Sequence, residues 1–161
     1  MAKAKAKGQE PFILILDEIE DPHNLGSILR TADCTGVHGV IIPKRRSVGL
    51  TATVSKTSAG AVEYVPVARV TNIAQTIEQL KELGVWVAGT DVSAAQDVYK
   101  ANFTIPIALV IGNEGKGVGR LIKERCDFLV KLPMAGHVNS LNASVAAGVL
   151  MYEVVRQRNK S

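Results

Sequence analysis

The chain has 161 residues, of which 47% are hydrophobic and 21% charged, a balance that suits one globular domain with a sizeable core and excludes a disordered or fibrous chain. Aromatic residues make up only 4%, so the core must be aliphatic and the stacking platforms that bind single-stranded nucleic acid are missing. The net charge of +4 owes most of its excess to Lys3, Lys5 and Lys7 and lends modest support to a nucleic-acid partner.

The remaining exclusions concern metal, membrane and export. Cys34, Cys126, His23, His38 and His137 show no metal-ligand spacing, so no metal is expected. The uncharged run from Leu132 to Tyr152 is broken by Pro133, Gly136, His137, Asn139, Ser140, Asn142 and Ser144, which argues against a membrane span. With no secretory signal pattern at the start, the expected compartment is the cytoplasm.

Residues 1–11 read as a basic, flexible leader, and residues 12–161 as one domain. Phe12 to Leu16 is a buried strand, Asp17 to Asn24 a polar loop, and Leu25 to Thr35 a helix with Asn24 as its cap and Gly36 as its stop. Gly39 to Pro43 is the next strand, ending beside the cluster Lys44-Arg45-Arg46. Thr51 to Ala61 is a weak helix, Tyr64 to Val67 a strand, Asn72 to Leu83 a clear amphipathic helix, and Val85 to Ala88 a strand.

Gly89 to Asn102 is loop-like. Ile105 to Ile111 is a buried strand, Gly112 to Gly119 a glycine-rich loop leading into a helix that ends near Cys126, and Phe128 to Leu132 the last strand. The final helix runs from Leu141 to Arg156 and is apolar around most of its circumference, so something must cover it, such as a second subunit. Continuous apolar strands alternating with helices predict an α/β fold, a mostly parallel sheet with helices on both faces.

In open α/β sheets, ligands bind at the C-terminal ends of the strands. Three loops there carry candidate chemistry. The first holds Asn24 and Arg30, which read equally as a helix cap and a surface arginine. The second, Gly112-Asn113-Glu114-Gly115-Lys116-Gly117-Val118-Gly119, lets the backbone bend sharply, but it matches neither the Walker loop nor the dinucleotide fingerprint. Its Glu114 would repel phosphate and could pair with Arg30. The third holds Asn139, Ser140, Asn142 and Ser144 where strand gives way to helix; capping by Ser140 accounts for one of them and leaves the others for a ligand. Lys44, Arg45 and Arg46 read as an RNA-facing cluster or as a solvated loop.

Together, Asn24-x-Gly26-x-x-x-Arg30, Gly112-x-Glu114-x-x-Gly117 and Ser140-Leu141-Asn142-x-Ser144 resemble the three ordered motifs of the SpoU family of RNA ribose 2′-O-methyltransferases, over nearly all of Phe12 to Arg158. Asp21-Pro22-His23-Asn24, Gly36-Val37-His38-Gly39 and Ile42-Pro43-Lys44 are most similar to the branch that methylates a guanosine of 23S ribosomal RNA. The resemblance implies a C-terminal deep trefoil knot, an exception to the rule against knotted chains, with S-adenosylmethionine lying in the knot and a homodimer covering the last helix. Gly89, Ile111, Gly112, Leu132, Met134 and Leu141 would hold the cofactor. Arg30, Asn24, Glu114, Ser140 and Asn142 would form the catalytic site.

In the family's proposed mechanism the arginine, here Arg30, helps deprotonate the 2′-hydroxyl. Guanidinium groups hold their proton far above neutrality, so binding the acceptor's phosphate or a developing alkoxide is the role stated first. That branch carries a small RNA-binding domain ahead of the catalytic portion, whereas Met1 to Pro11 is all that precedes the first strand here. The expectation is therefore a catalytic portion or a minimal member, with 23S rRNA as substrate. Transfer RNA is the second choice, and a catalytically silent RNA-binding module the rival.

Overall fold

The computed structural model describes residues 1–45, 51–114 and 116–159. Seven strands form one sheet in the order β3-β2-β1-β6-β4-β7-β5, and every strand pairing in it is parallel. These are β1 (Phe12–Leu16), β2 (Gly39–Pro43), β3 (Val67–Val70), β4 (Trp86–Thr90), β5 (Gln96–Asp97), β6 (Ile107–Ile111) and β7 (Phe128–Lys131). The central pair β1 and β6 reads Phe-Ile-Leu-Ile-Leu and Ile-Ala-Leu-Val-Ile, and all ten side chains are buried. An uninterrupted apolar run of this kind has no solvent face, as a parallel strand covered on both sides requires.

Alternation along these strands divides the core in two. Phe12, Leu14, Leu16, Ile107, Leu109 and Ile111 pack with the helices α2 (Pro22–Thr35) and α6 (Ala143–Arg158). Ile13, Ile15, Ala108 and Val110 pack with Ile73, Ile77 and Leu80 of α4 (Ile73–Glu82), against which Ile122 and Cys126 of the α5 (Arg120–Arg125) region close. Successive residues of a strand point to opposite faces, so one short sequence supplies both layers. The order also inserts β7 between β4 and β5, two strands that precede it in the chain, an arrangement consistent with the expected C-terminal threading.

Several elements differ from their sequence reading. Asn24 is not the cap of α2. The helix begins earlier, at Pro22, whose missing N–H costs nothing at a first helical position, and the Asp21 carboxylate accepts from the His23 N–H at 2.8 Å. Gly36 ends the helix as expected, in the left-handed conformation with φ 76°. The strand expected at Tyr64–Val67 starts only at Val67, because a 3-10 turn at Ala61–Glu63 carries the chain through Tyr64, which is exposed.

The weak helix from Thr51 shortens to α3 (Ala52–Thr57), capped by Thr51. The segment expected as loop after Gly89 contains β5, whose polar Gln96-Asp97 pair carries no hydrophobic signal. Residues 1–11 include a short helix, α1 (Ala2–Ala6), with Ala4 buried and the Lys3 ammonium donating to the Tyr64 carbonyl at 3.0 Å.

The last helix starts at Ala143 with Asn142, not Ser140, as its cap; the Asn142 side-chain oxygen accepts from the Ser144 N–H at 3.0 Å and the Val145 N–H at 3.3 Å. Ala143, Ala147, Leu150, Met151 and Val154 bury one face, while Val145 and Tyr152 stay exposed in the single chain. Among the described residues no helix is long and apolar enough to cross a membrane, and no group of three His, Cys, Asp or Glu side chains could hold a metal ion.

Candidate active site

Because the sheet is parallel, the C-terminal ends of its strands share one edge, and the three candidate loops meet there. Asn24 comes from the first turn of α2, Glu114 from the loop after β6, and Asn142 from the cap of α6. The Asn142 amide donates to the Glu114 Oε1 at 2.9 Å and to the Asn24 Oδ1 at 3.1 Å, and the Asn24 amide approaches the same Glu114 oxygen at 3.4 Å. The Ala143 backbone N–H donates to that oxygen as well, at 2.9 Å. One carboxylate oxygen thus collects three donors from segments separated by 28 and 90 residues. A carboxylate near a helix N-terminus is also favoured by the helix dipole.

The glycines explain how Glu114 reaches this position. A Cβ on Gly112 would collide with the backbone of Gly117 and Val118, so only glycine lets the loop fold back on itself. Gly117 closes it with φ 68° and an N–H donated to the Asn113 carbonyl at 2.6 Å.

Beside this hub lies a cavity of about 370 Å³ at the ends of β4, β6 and β7, within the range of roughly 300–1,000 Å³ that encloses small organic ligands. Of the six residues expected to hold a cofactor, Ile111, Gly112, Leu132, Met134 and Leu141 line it. Gly89 does not. It lies buried in β4, where a Cβ would meet the Cys126 Sγ and the Leu129 Cδ2 at 2.9 Å, so its role is to let α5 and β7 pack close. Burial pushes the Cys126 thiol up to about 12, which makes it an inert packing group. Glu114, Asn139 and Ser140 also line the cavity, and Ser140 is exposed with no hydrogen bond among the described residues.

The charged wall of the cavity was not anticipated. Asp91, Lys116, Lys123 and Lys131 all line it. Partial burial works against the Asp91 carboxylate, but the Ser93 N–H and hydroxyl and the Lys123 ammonium at 3.4 Å hold it below its ordinary range. The only available signal was position, just after the Gly89-Thr90 end of an apolar strand. Asp17 was also missed: it is buried, and desolvation raises its carboxyl despite the hydrogen bond accepted from the Gly119 N–H at 3.0 Å.

Arg30 stands apart. It is exposed, its side chain makes no hydrogen bond or ion pair among the described residues, and it does not line the cavity. Six residues along a helix put it about 9 Å beyond Asn24 and about 120° round the axis, so it shares a stripe with His23 rather than with Asn24. The expected pairing of Glu114 with Arg30 is therefore not formed; the amides of Asn142 and Asn24 take its place. Lys44 and Arg45 are exposed at the end of β2, on the site's edge of the sheet but outside the cavity, and the Lys44 carbonyl accepts from Arg69 at 3.3 Å. Arg46 lies outside the described residues.

The fold and the hub together define a parallel α/β domain with a polar site beside a cavity at its C-terminal strand ends, and comparison with known proteins identifies the family. Residues 11–152 match the model of the SpoU rRNA methylase family, and the chain belongs to that family. It is 67% identical over 156 residues to a Bacillus subtilis protein assigned to the TrmH family of tRNA/rRNA methyltransferases, covering 97% of this chain and 63% of that protein. A Staphylococcus aureus relative of the same assignment is 63% identical over 159 residues, 99% of this chain and 64% of its own. The chain thus spans somewhat less than two thirds of these relatives' length.

Among solved structures, the SpoU methyltransferase AviRb from Streptomyces viridochromogenes, in complex with AdoMet, superposes with a TM-score of 0.85 at 33% identity, covering 93% of this chain and 61% of that one. An AdoMet-bound rRNA methyltransferase from Sinorhizobium meliloti superposes with a TM-score of 0.87 at 28% identity, covering 94% and 58%.

Proposed function

We propose that this chain is the catalytic portion of a cytoplasmic, dimeric enzyme that transfers a methyl group from S-adenosylmethionine to a ribose 2′-hydroxyl of RNA, a guanosine of 23S rRNA first and of tRNA second. The observation that carries this reading is the convergence of Asn24, Glu114 and Asn142 at the rim of the cavity. The cavity fits the cofactor chemically: Ile111, Leu132 and Leu141 offer apolar surface to an adenosine, and Asp91, Lys123 and Lys131 offer both charges to a zwitterionic amino-acid end. Bound there, the cofactor supplies a methyl group activated by its sulfonium.

This chain's residues then position the acceptor. Glu114, held by three donors, is a fixed hydrogen-bond acceptor that can orient the ribose, and the Asn24 side chain completes the rim. Ser140 offers a free hydroxyl. Arg30, which stands outside the cavity, offers a cation to the acceptor's phosphate. Holding the two reactants in line can supply much of the acceleration. A second copy over Val145 and Tyr152 would cover the apolar face of α6, and sedimentation of the chain should then report a dimer.

The test is transfer of label from methyl-tritiated S-adenosylmethionine to unmodified 23S rRNA or tRNA. A 2′-O-methyl ribose cannot attack its neighbouring phosphate, so the expected product is a labelled, alkali-resistant dinucleotide containing guanosine. Label on a base, or none, overturns the reading. Equal labelling by Arg30→Ala removes Arg30 from the mechanism while leaving the rest. The silent-module rival predicts no thermal protection at saturating S-adenosylmethionine, where a cofactor-binding enzyme is stabilised by mass action.

A further inference from the structure

Glu114 projects from a loop that has no hydrophobic side chain before Val118, so something other than core packing must hold it against the hub. The two-residue segment after β1 touches this loop at its start, middle and end. The Asp17 N–H donates to the Ile111 carbonyl at 2.8 Å, where the loop leaves β6. The Asn113 amide donates to the Glu18 carbonyl at 3.4 Å, next to Glu114 itself. The Asp17 carboxylate accepts from the Gly119 N–H at 3.0 Å, where the loop enters α5. Glu18 takes a left-handed backbone conformation with φ 59° at this point, which is uncommon for a residue with a side chain.

A buried carboxylate is costly unless it is hydrogen-bonded, and the Gly119 N–H supplies that bond to Asp17. Asp17 is 8% exposed and belongs to neither the hub nor the cavity lining. Its bond to Gly119 spans 102 residues of sequence and closes the loop against β1. With the far end fixed, the return at Gly117 and the close approach at Gly112 leave Glu114 one place to go. We propose that Asp17 is a positioning residue, which sets the Glu114 carboxylate where Asn142 and Ala143 donate to it by tying the end of the glycine-rich loop to β1.

This inference rests on the methyltransferase reading for its consequence, but not for its first readout. The Ala143 N–H donates to Glu114 Oε1, so its amide resonance reports the carboxylate's position whether or not the chain has activity. In the isotope-labelled chain, Asp17→Ala should move the Ala143 amide upfield and speed its exchange with solvent. Asp17→Asn keeps an oxygen acceptor of the same shape and should leave the Ala143 amide close to its native position. Should Asp17→Ala fail to fold, Asp17→Ser, whose hydroxyl falls short of Gly119, replaces it with the same expectation. An Ala143 amide unmoved in Asp17→Ala, or in Asp17→Ser where that variant replaces it, overturns the proposal.

The second readout is a double-mutant cycle on methyl transfer. Asp17→Ala should lower kcat about tenfold in the native background and less than twofold in Glu114→Ala, since the function it serves is already gone. Equal losses in both backgrounds assign Asp17 a general stabilising role and overturn the proposal. Absence of methyl transfer by the native chain itself sinks the functional reading instead, and leaves the amide shift to judge Asp17.

Discussion

The two edges of the sheet use polar side chains in opposite ways. At the N-terminal edge they are bonded mainly to backbone: Arg158 donates to the carbonyls of Glu10, Pro11, Phe103 and Ile105 at 2.7–3.1 Å and lies 5.5 Å from the centre of the Phe12 ring. The His38 Nδ1 accepts from the Phe12 N–H at 3.0 Å, which leaves Nε2–H to donate to Gln9 at 2.8 Å. At the C-terminal edge, Asn24, Glu114 and Asn142 bond to one another as well as to the first N–H groups of α6, in an exposed rim. Groups that satisfy buried backbone stabilise the fold. Groups that hold each other beside a cavity are pre-arranged for a ligand, and stability gains little from them.

The contrast is broken most readily at Arg158. Arg158→Ala removes donors from four carbonyls, and at about 1 kcal/mol per bond should destabilise the chain by about 3–4 kcal/mol in urea unfolding. The kcat of the molecules that remain folded should not change. Glu114→Gln should do the reverse. Misplacing a reacting group by about an ångström can cost about a hundredfold, so methyl transfer should fall by about that factor while the urea midpoint moves little. A large loss of stability in Glu114→Gln, or of kcat in Arg158→Ala, would erase the distinction between the edges.

A smaller effect separates the edges by pH. Burial first, then the charges of Arg158, Lys7, the amino terminus and Lys3, lower the His38 imidazole from its ordinary 6.5 to about 4. The unfolded chain therefore takes up this proton near pH 6.5 and the folded chain only near pH 4. The contribution of His38 to stability is present in full above 6.5, shrinks as pH falls through that window, and is gone below about 4. Urea midpoints measured from pH 7.5 to 4 should fall less in His38→Asn than in the native chain; parallel curves would remove His38 from the account.

The smallest effect is expected at Lys44 and Arg45, on the site's edge but outside the cavity. Replacing both with Ala should shallow the salt dependence of RNA binding by about 0.7–0.9 for each phosphate left without its cation, measured as the slope of log affinity against log salt. An unchanged slope would route the RNA elsewhere and leave the cavity rim as the sole recognition surface.

Much of the fold could be read from local pattern. β1, β2 and the stop of α2 at Gly36 fall where apolar runs and a left-handed glycine place them, because those signals act within a few residues. β5 could not be read, since Gln96 and Asp97 become a strand only by pairing with Val130 and Lys131. Asn24, Glu114 and Asn142 were legible as polar residues at strand ends and as family motifs. Asp17 resembles any loop aspartate in sequence, and its role depends on Gly119, more than a hundred positions away.

The order of apolar runs, glycines and motif residues was enough by itself to specify a parallel α/β domain and to single out Asn24, Glu114 and Asn142 as candidates at its strand ends, because burial and backbone freedom are properties of single positions and their near neighbours. Tertiary structure alone decided which side chains meet. It joined Glu114 to Asn142 rather than to Arg30, left Gly89 to packing, and brought Asp91 and Lys123 to the cavity wall. Hydrogen bonds depend on ångström distances between segments far apart in the chain, and only the closed sheet sets those distances.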